Sequence, residues 1–258
     1  MSQKYALFFL WMSLLSNPLF PIFEEKDIRE AQTRLSDRHP FTYFDLCLSP
    51  LEVEGLQKLS ITNGANYENF GQLDLLENEI NQYLMSIGTN ESSLTKSVAH
   101  MIHEIVEKVV KGFGSETAWV VLRASTPHQI FDTPRWHTDS YYAPPFEGEQ
   151  KKVVIALKGP GTLFCNLNPE KREAFAELQE EMILTPFDEV KRQGLDTFLK
   201  AAQCEFLFPS LGQGSIFIAG APYAAIHSEP PIKEPRLFIS IFPTTVDQIV
   251  KVKHQMAS

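Results

Sequence analysis

The chain has little cysteine, a deficit of basic charge and no apolar run long enough to span a bilayer comfortably. Cys47, Cys165 and Cys204 are an odd, widely spaced set without a CxxC pair. That pattern argues against a structural zinc or a disulfide framework and predicts reduced core thiols. Lys and Arg number 23 against 32 Asp and Glu, giving a formal charge of −9. Nucleic-acid-binding surfaces are basic, so no nucleic-acid partner is expected. The apolar stretch from Tyr5 to Leu15 has the length of a signal peptide rather than a stable membrane span, and the Ser16-Asn-Pro-Leu that follows lacks a small-x-small cleavage pattern. The expectation is a cytoplasmic protein whose residues 1–22 dock on the body, with export through a signal peptide as the alternative.

Other absences narrow the chemistry. The sequence has no Gly-x-Ser-x-Gly elbow, and no glycine-rich loop leads into Lys-Ser/Thr at the start of a helix. His100-x-x-His103-Glu104 has the wrong order for a zinc-protease helix and reads as a solvated helix face. Gly159-Pro-Gly161 and Gly212-Gln-Gly214 read as turns. No linker, repeat or low-complexity tract divides the chain, so residues 23–258 are expected to form one domain.

What is present is a body rich in Phe (19) and Pro (17), a composition of short elements and turns rather than of a helical bundle. Residues 24–36 are polar and helix-like. Leu73, Leu76, Ile80 and Leu84 recur at helical spacing before Gly88. Leu94, Val98, Ile102, Ile105 and Val109 form a second stripe, ended by Gly112 and Gly114. From Thr117 the period changes to short β-rich runs at 117–123, 152–157, 215–219 and 237–242. Residues 169–202 are charged and helix-prone, an insertion between strands. The expected fold is α+β with a β-rich core: helices in 23–114, a barrel core over about 117–243 and the helical insertion.

Two segments carry the candidate chemistry, Pro134-Arg-Trp-His-Thr-Asp139 and His227-Ser-Glu229, the latter followed by Arg236-Leu-Phe-Ile-Ser240. On a strand, His137 and Asp139 share one face, with Trp136 and Thr138 on the other. His227 then offers a third ligand. Two imidazoles and one carboxylate leave coordination positions open, as non-haem iron(II) sites require. A His-x-Asp or His-x-Glu pair arises by chance at this composition, and His227-Ser-Glu229 is itself a second one. The weight therefore rests on the ordered set of strand, His-x-Asp, further strands, His, and an Arg opening another strand. A guanidinium at Arg236 can clamp a carboxylate bidentately.

These segments, with Lys158-Gly-Pro-Gly-Thr162, resemble a family of largely uncharacterised bacterial proteins. More broadly the layout is similar to the iron(II)/2-oxoglutarate-dependent oxygenase superfamily over roughly residues 117–243. The resemblance implies a double-stranded β-helix, a jelly-roll relative of the cupins. It implies His137, Asp139 and His227 as ligands of Fe(II), and Arg236, with Ser240 and Thr162, as contacts of the cosubstrate 2-oxoglutarate. Phe238 stands where the superfamily often has Ser or Thr. Tyr141, Arg123 and Trp136 are expected in the substrate pocket, and the substrate is a small molecule or a protein side chain. The implied reaction is hydroxylation or demethylation; the alternatives are a non-catalytic cupin-like metal-binding or sensing module, or a zinc hydrolase on the same triad.

Overall fold

Apolar periodicity decides where the elements fall, and a computed structural model describes residues 22–127, 133–140, 149–184, 188–220 and 223–257 of the chain. In chain order the elements are α1 (Glu25–Thr33), β1 (Phe41–Asp45), α2 (Pro50–Lys58), β2 (Ala65–Phe70), α3 (Leu73–Ser86), α4 (Ser92–Phe113), β3 (Thr117–Ser125) and β4 (Gln150–Lys158). There follow β5 (Leu163–Asn166), a 3-10 turn at Pro169–Lys171, α5 (Arg172–Ile183), α6 (Glu189–Ala201), β6 (Glu205–Leu207), β7 (Gln213–Ala219), β8 (Ile226–Ser228), β9 (Arg236–Thr244) and α7 (Val246–Ala257). The apolar stretch at 5–15 and Tyr141 lie outside the described residues. No helix among the described residues is long and apolar enough to cross a membrane.

The strands form two antiparallel sheets, one in the order β1-β7-β4-β9-β3-β2 and one in the order β6-β5-β8. Alternation divides the larger sheet cleanly. Leu237, Ile239 and Ile241 of β9, Val120 and Leu122 of β3, and Val153 and Ile155 of β4 pack against α1, α3 and α4 in one buried cluster. Arg236, Phe238 and Ser240 point the other way. Between the sheets Phe164 of β5 meets Phe217 of β7 at 5.6 Å and stacks on Phe41 of β1 at 4.7 Å. The outer side of the small sheet is covered by α5 and α6 through Cys165, Phe175, Leu195, Leu199 and Ile226. The layers therefore run helices, large sheet, small sheet, helices.

Two expectations are corrected. The N-terminal part is not helical throughout: β1 and β2 join the two edges of the large sheet, pairing with β7 and β3. The burial of β1 does not alternate, and β2 alternates but with the polar Asn69 at its most buried position, so neither shows as an apolar period-two run. The helix α2 was announced by Ser49-Pro50-x-Glu52, a capping box in which Glu52 accepts from the Ser49 amide at 2.6 Å. Nor are all three cysteines reduced core thiols. Cys165 and Cys204 form a disulfide with a Cα–Cα distance of 6.0 Å, brought together by the pairing of β5 with β6, and Cys47 is exposed.

Two glycines are required by geometry. Gly114 closes α4 in the left-handed region (φ 63°), and a Cβ there would meet nothing within 4 Å. Gly159 (φ 78°) opens the turn beneath Arg236, and a Cβ there would stand 2.8 Å from the Pro235 carbonyl. Gly114→Ala is expected to cost about 1 kcal/mol, the left-handed penalty alone. Gly159→Ala should cost more, because the clash adds to that penalty. Urea unfolding of both variants checks the order; equal midpoints would mean the turn yields freely.

Candidate metal centre

The segment after β3 reaches the small sheet through a single antiparallel bridge. His137 N–H donates to His227 O at 2.9 Å and His227 N–H donates to His137 O at 2.9 Å. A pair that exchanges both bonds has its Cα atoms about 5.5 Å apart, and the two imidazoles stand 4.3 Å apart between ring centroids. Asp139, two residues on, projects to the same side. Its Oδ1 lies 3.7 Å from Nε2 of His137 and 3.7 Å from Nε2 of His227. Among the described residues, this is the group of three metal-competent side chains whose donor atoms converge, all within 4.8 Å of one another.

The tautomers follow from the partners. His137 Nδ1 is 2.8 Å from Arg135 O, and His227 Nδ1 is 3.1 Å from Ala225 O. Carbonyl oxygens only accept, so each Nδ1 carries the proton and each Nε2 presents a lone pair to the centre. Burial pushes the His137 imidazolium down to about 3, with the neighbouring His227 adding to the effect; burial also lowers His227. Both rings are therefore neutral at physiological pH. Burial would raise Asp139, but Lys152 and the two histidines more than reverse this and hold the carboxyl well below its usual range. Lys152 Nζ donates to Asp139 Oδ2 at 3.0 Å, leaving Oδ1 facing the imidazoles.

The His-x-Asp segment is held from outside by the insertion. Gln179 of α5 accepts from Thr138 N–H at 2.7 Å and from the Thr138 hydroxyl at 3.1 Å. Trp136 donates its indole N–H to Asp196 of α6 at 3.0 Å and stacks on Phe206 at 5.1 Å. The Asp139 carbonyl accepts from Gly220 N–H at 2.9 Å.

A cavity of about 310 Å³ opens over the triad. Trp119, Val121 and Arg123 of β3, Lys152 and Val154 of β4, and Phe238 and Ser240 of β9 form its large-sheet wall. Thr162, Arg135 and Glu229 complete it beside the triad, with Glu68 at the margin. Ser240 and Thr162 thus reach the same space as the triad, as does Arg123, which ion-pairs with Glu229. Trp136 does not: strand alternation about His137 turns it into the apolar cluster beneath α5 and α6, which corrects its expected place in the substrate pocket. Arg236 is fully buried behind Phe238, whose ring centroid is 4.5 Å from its guanidinium carbon. Its Nε donates to Pro160 O at 2.9 Å and its Nη1 is 3.9 Å from Glu229, while Nη1 and Nη2 make no hydrogen bond among the described residues. Lys152, Gln179 and Asp196 were not singled out from the sequence, and Glu229 figured there only as the end of a His-x-Glu pair. A lysine two residues before the buried Val154 was the one available signal for Lys152.

No protein-family model matches the chain, and no curated protein matches it. Solved structures to which it is similar include a dioxygenase for auxin oxidation from rice, with 13% identity, a TM-score of 0.42, and coverage of 85% of this chain and 78% of that one. A Pseudomonas putida prolyl-4-hydroxylase has 12% identity, a TM-score of 0.41, and coverage of 85% and 98%. The Kdo hydroxylase, a non-haem Fe(II) α-ketoglutarate-dependent dioxygenase solved with α-ketoglutarate and Fe(III), has 12% identity, a TM-score of 0.43, and coverage of 91% of each chain. With TM-scores below 0.5, the functional reading rests on the geometry.

The histidines fix a pH dependence for the metal-free protein. Above the unfolded-state value of 6.5, both folded and unfolded rings are neutral and contribute nothing. Below it the unfolded chain takes up protons that the folded chain refuses, so stability falls as pH drops from 6.5 toward 3. Asp139 acts in the same sense but at lower pH, its contribution being lost only below about 4. His137 should remove about 1 kcal/mol between pH 6.5 and about 5.5, with His227 acting in the same direction. His137→Gln should flatten that slope by its share in urea titrations at the two pH values; an unchanged slope would place the acid sensitivity elsewhere.

Proposed function

We propose that the protein is an iron(II)- and 2-oxoglutarate-dependent oxygenase of the hydroxylase or demethylase type. The observation that carries this reading is the convergence of two deprotonated Nε2 atoms and one carboxylate oxygen, with both rings fixed through Nδ1. Neutral imidazole and carboxylate are the donor set that non-haem iron(II) takes while keeping positions open for small ligands. The two facing sheets support the wider reading of a double-stranded β-helix, in which the segment at His137 continues the order β6-β5-β8 of the small sheet.

In this reading His137, Asp139 and His227 hold the metal. Bound there with 2-oxoglutarate, iron(II) supplies an oxidant from dioxygen while the keto acid becomes succinate and carbon dioxide. The remaining work belongs to the protein. Lys152 fixes Asp139 through Oδ2 and so keeps Oδ1 aimed. Thr162 and Ser240 offer hydroxyls from opposite walls to the oxygens of the cosubstrate. Arg236 brings a charge whose two buried amino groups have no hydrogen-bond partner, and a carboxylate entering beside Phe238 would satisfy them. Trp119, Val121, Val154 and Phe238 exclude water and keep the reacting carbon in a medium of low polarity.

Anaerobic titration of the protein with iron(II) and 2-oxoglutarate tests the assignment through the metal-to-ligand absorption band of the chelate. The expected result is a band that His137→Ala abolishes. Arg236→Met should keep iron binding and weaken 2-oxoglutarate by about tenfold or more, the scale of a lost charge-assisted bond. Iron binding without the band would remove the cosubstrate from the reading. No metal binding would remove the triad.

A further inference from the structure

A cavity of about 480 Å³ shares no lining residue with the one over the triad. Its walls are largely apolar: Leu46 and Leu48 after β1, Val53 and Leu56 of α2, Leu157 of β4 and Leu211 before β7. Leu46, Leu56 and Leu157 belong to the main core cluster, so the cavity is an opening in the core itself. Leu211, on its rim, is 69% exposed. Lys158 is already engaged there, donating from Nζ to Gln57 O and Leu59 O at 2.7 Å each. A concave apolar surface continuous with the core marks a place that another apolar group covers.

The position at which the described chain begins points to the occupant. Ile22 and Phe23 are buried in the same cluster as Leu46, Leu56 and Leu157. Phe23 N–H donates to Leu46 O at 3.1 Å, and its ring meets Phe44 edge-on at 5.2 Å. Lys108 Nζ donates to Ile22 O at 2.6 Å. The chain is thus pinned beside a residue of the cavity wall. Just upstream, outside the described residues, comes the apolar run at 5–15, and no charged residue stands between Tyr5 and Phe23. Residues 16–21 separate the two; fully extended they span about 20 Å, ample to bring the run back over the cavity. Tethering makes such a contact intramolecular, at an effective concentration of order millimolar, which favours this segment over a free ligand or a second copy.

We propose that residues 5–15 dock in this cavity and insert large apolar side chains against Leu48, Val53 and Leu211. Gly159 and Pro160 also line it, and Pro160 O accepts from Arg236 Nε at 2.9 Å. The docked segment therefore packs behind the turn that holds Arg236. The binding does not depend on the oxygenase reading.

Photo-crosslinking of the full chain, with p-benzoylphenylalanine introduced at Phe8, tests the placement. The expected product has the mass of one chain and carries its adduct on residues of the cavity wall. Leu211→Asp, an exposed position where folding is not at stake, should lose most of that adduct. Deleting residues 2–15 should lower the thermal midpoint in the parent and leave it nearly unchanged in Leu211→Asp. Adducts elsewhere on the body, or none, would overturn the proposal. A product of two-chain mass would overturn it by giving the cavity to a second copy. So would protein from its own host that begins beyond residue 15, which would identify the run as a cleaved leader.

Discussion

Two backbone hydrogen bonds between His137 and His227 carry the rest of the site. They lock residues ninety positions apart into one antiparallel pair, and the side chains of such a pair rise from the same face. Asp139 then arrives at the centre by strand alternation, because it is two residues along. The same bridge places Arg135 O and Ala225 O under the two Nδ1 atoms, since both lie two residues before their histidines. Register therefore sets donor identity, donor direction and protonation state together. A one-residue slip would replace His137 by Trp136 or Thr138 and abolish all three.

A single bridge is a weak element on its own, and the insertion compensates for it. Gln179 and Asp196 reach the two residues flanking His137, one through a backbone amide and one through the Trp136 indole. The helices α5 and α6 are themselves anchored on the outer face of the small sheet through Phe175, Leu195 and Leu199. Ligand, flanking residue, helix and sheet thus form one packed unit, so motion of the insertion would be felt at the imidazoles before it was felt in the large sheet.

Much of the scaffold was legible in the sequence because its signals are local. The stripe Val98, Ile102, Ile105 and Val109, stopped by Gly114, predicted α4, and the apolar runs at 117–123 and 237–242 predicted β3 and β9. The triad was legible because a His-x-Asp pair needs only alternation to converge. The strands β1 and β2 were not, because β1 does not alternate in burial and β2 puts the polar Asn69 among its inward positions. Lys152 and Glu229 escaped for a different reason: their meaning lies in which charge they face across the cavity, and that depends on β4 pairing with β9 and on the turn after β8. The disulfide escaped likewise, since Cys165 and Cys204 become neighbours only through the pairing of β5 with β6.

Charge links the triad to its surroundings. Lys152 is a cation placed beside a carboxylate that is also a candidate ligand, so it opposes a metal cation by repulsion while holding Asp139 in position for it. The ion pair of Arg123 with Glu229 neutralises the cavity wall locally, so Lys152 is the cation that acts most directly on the carboxylate of the triad.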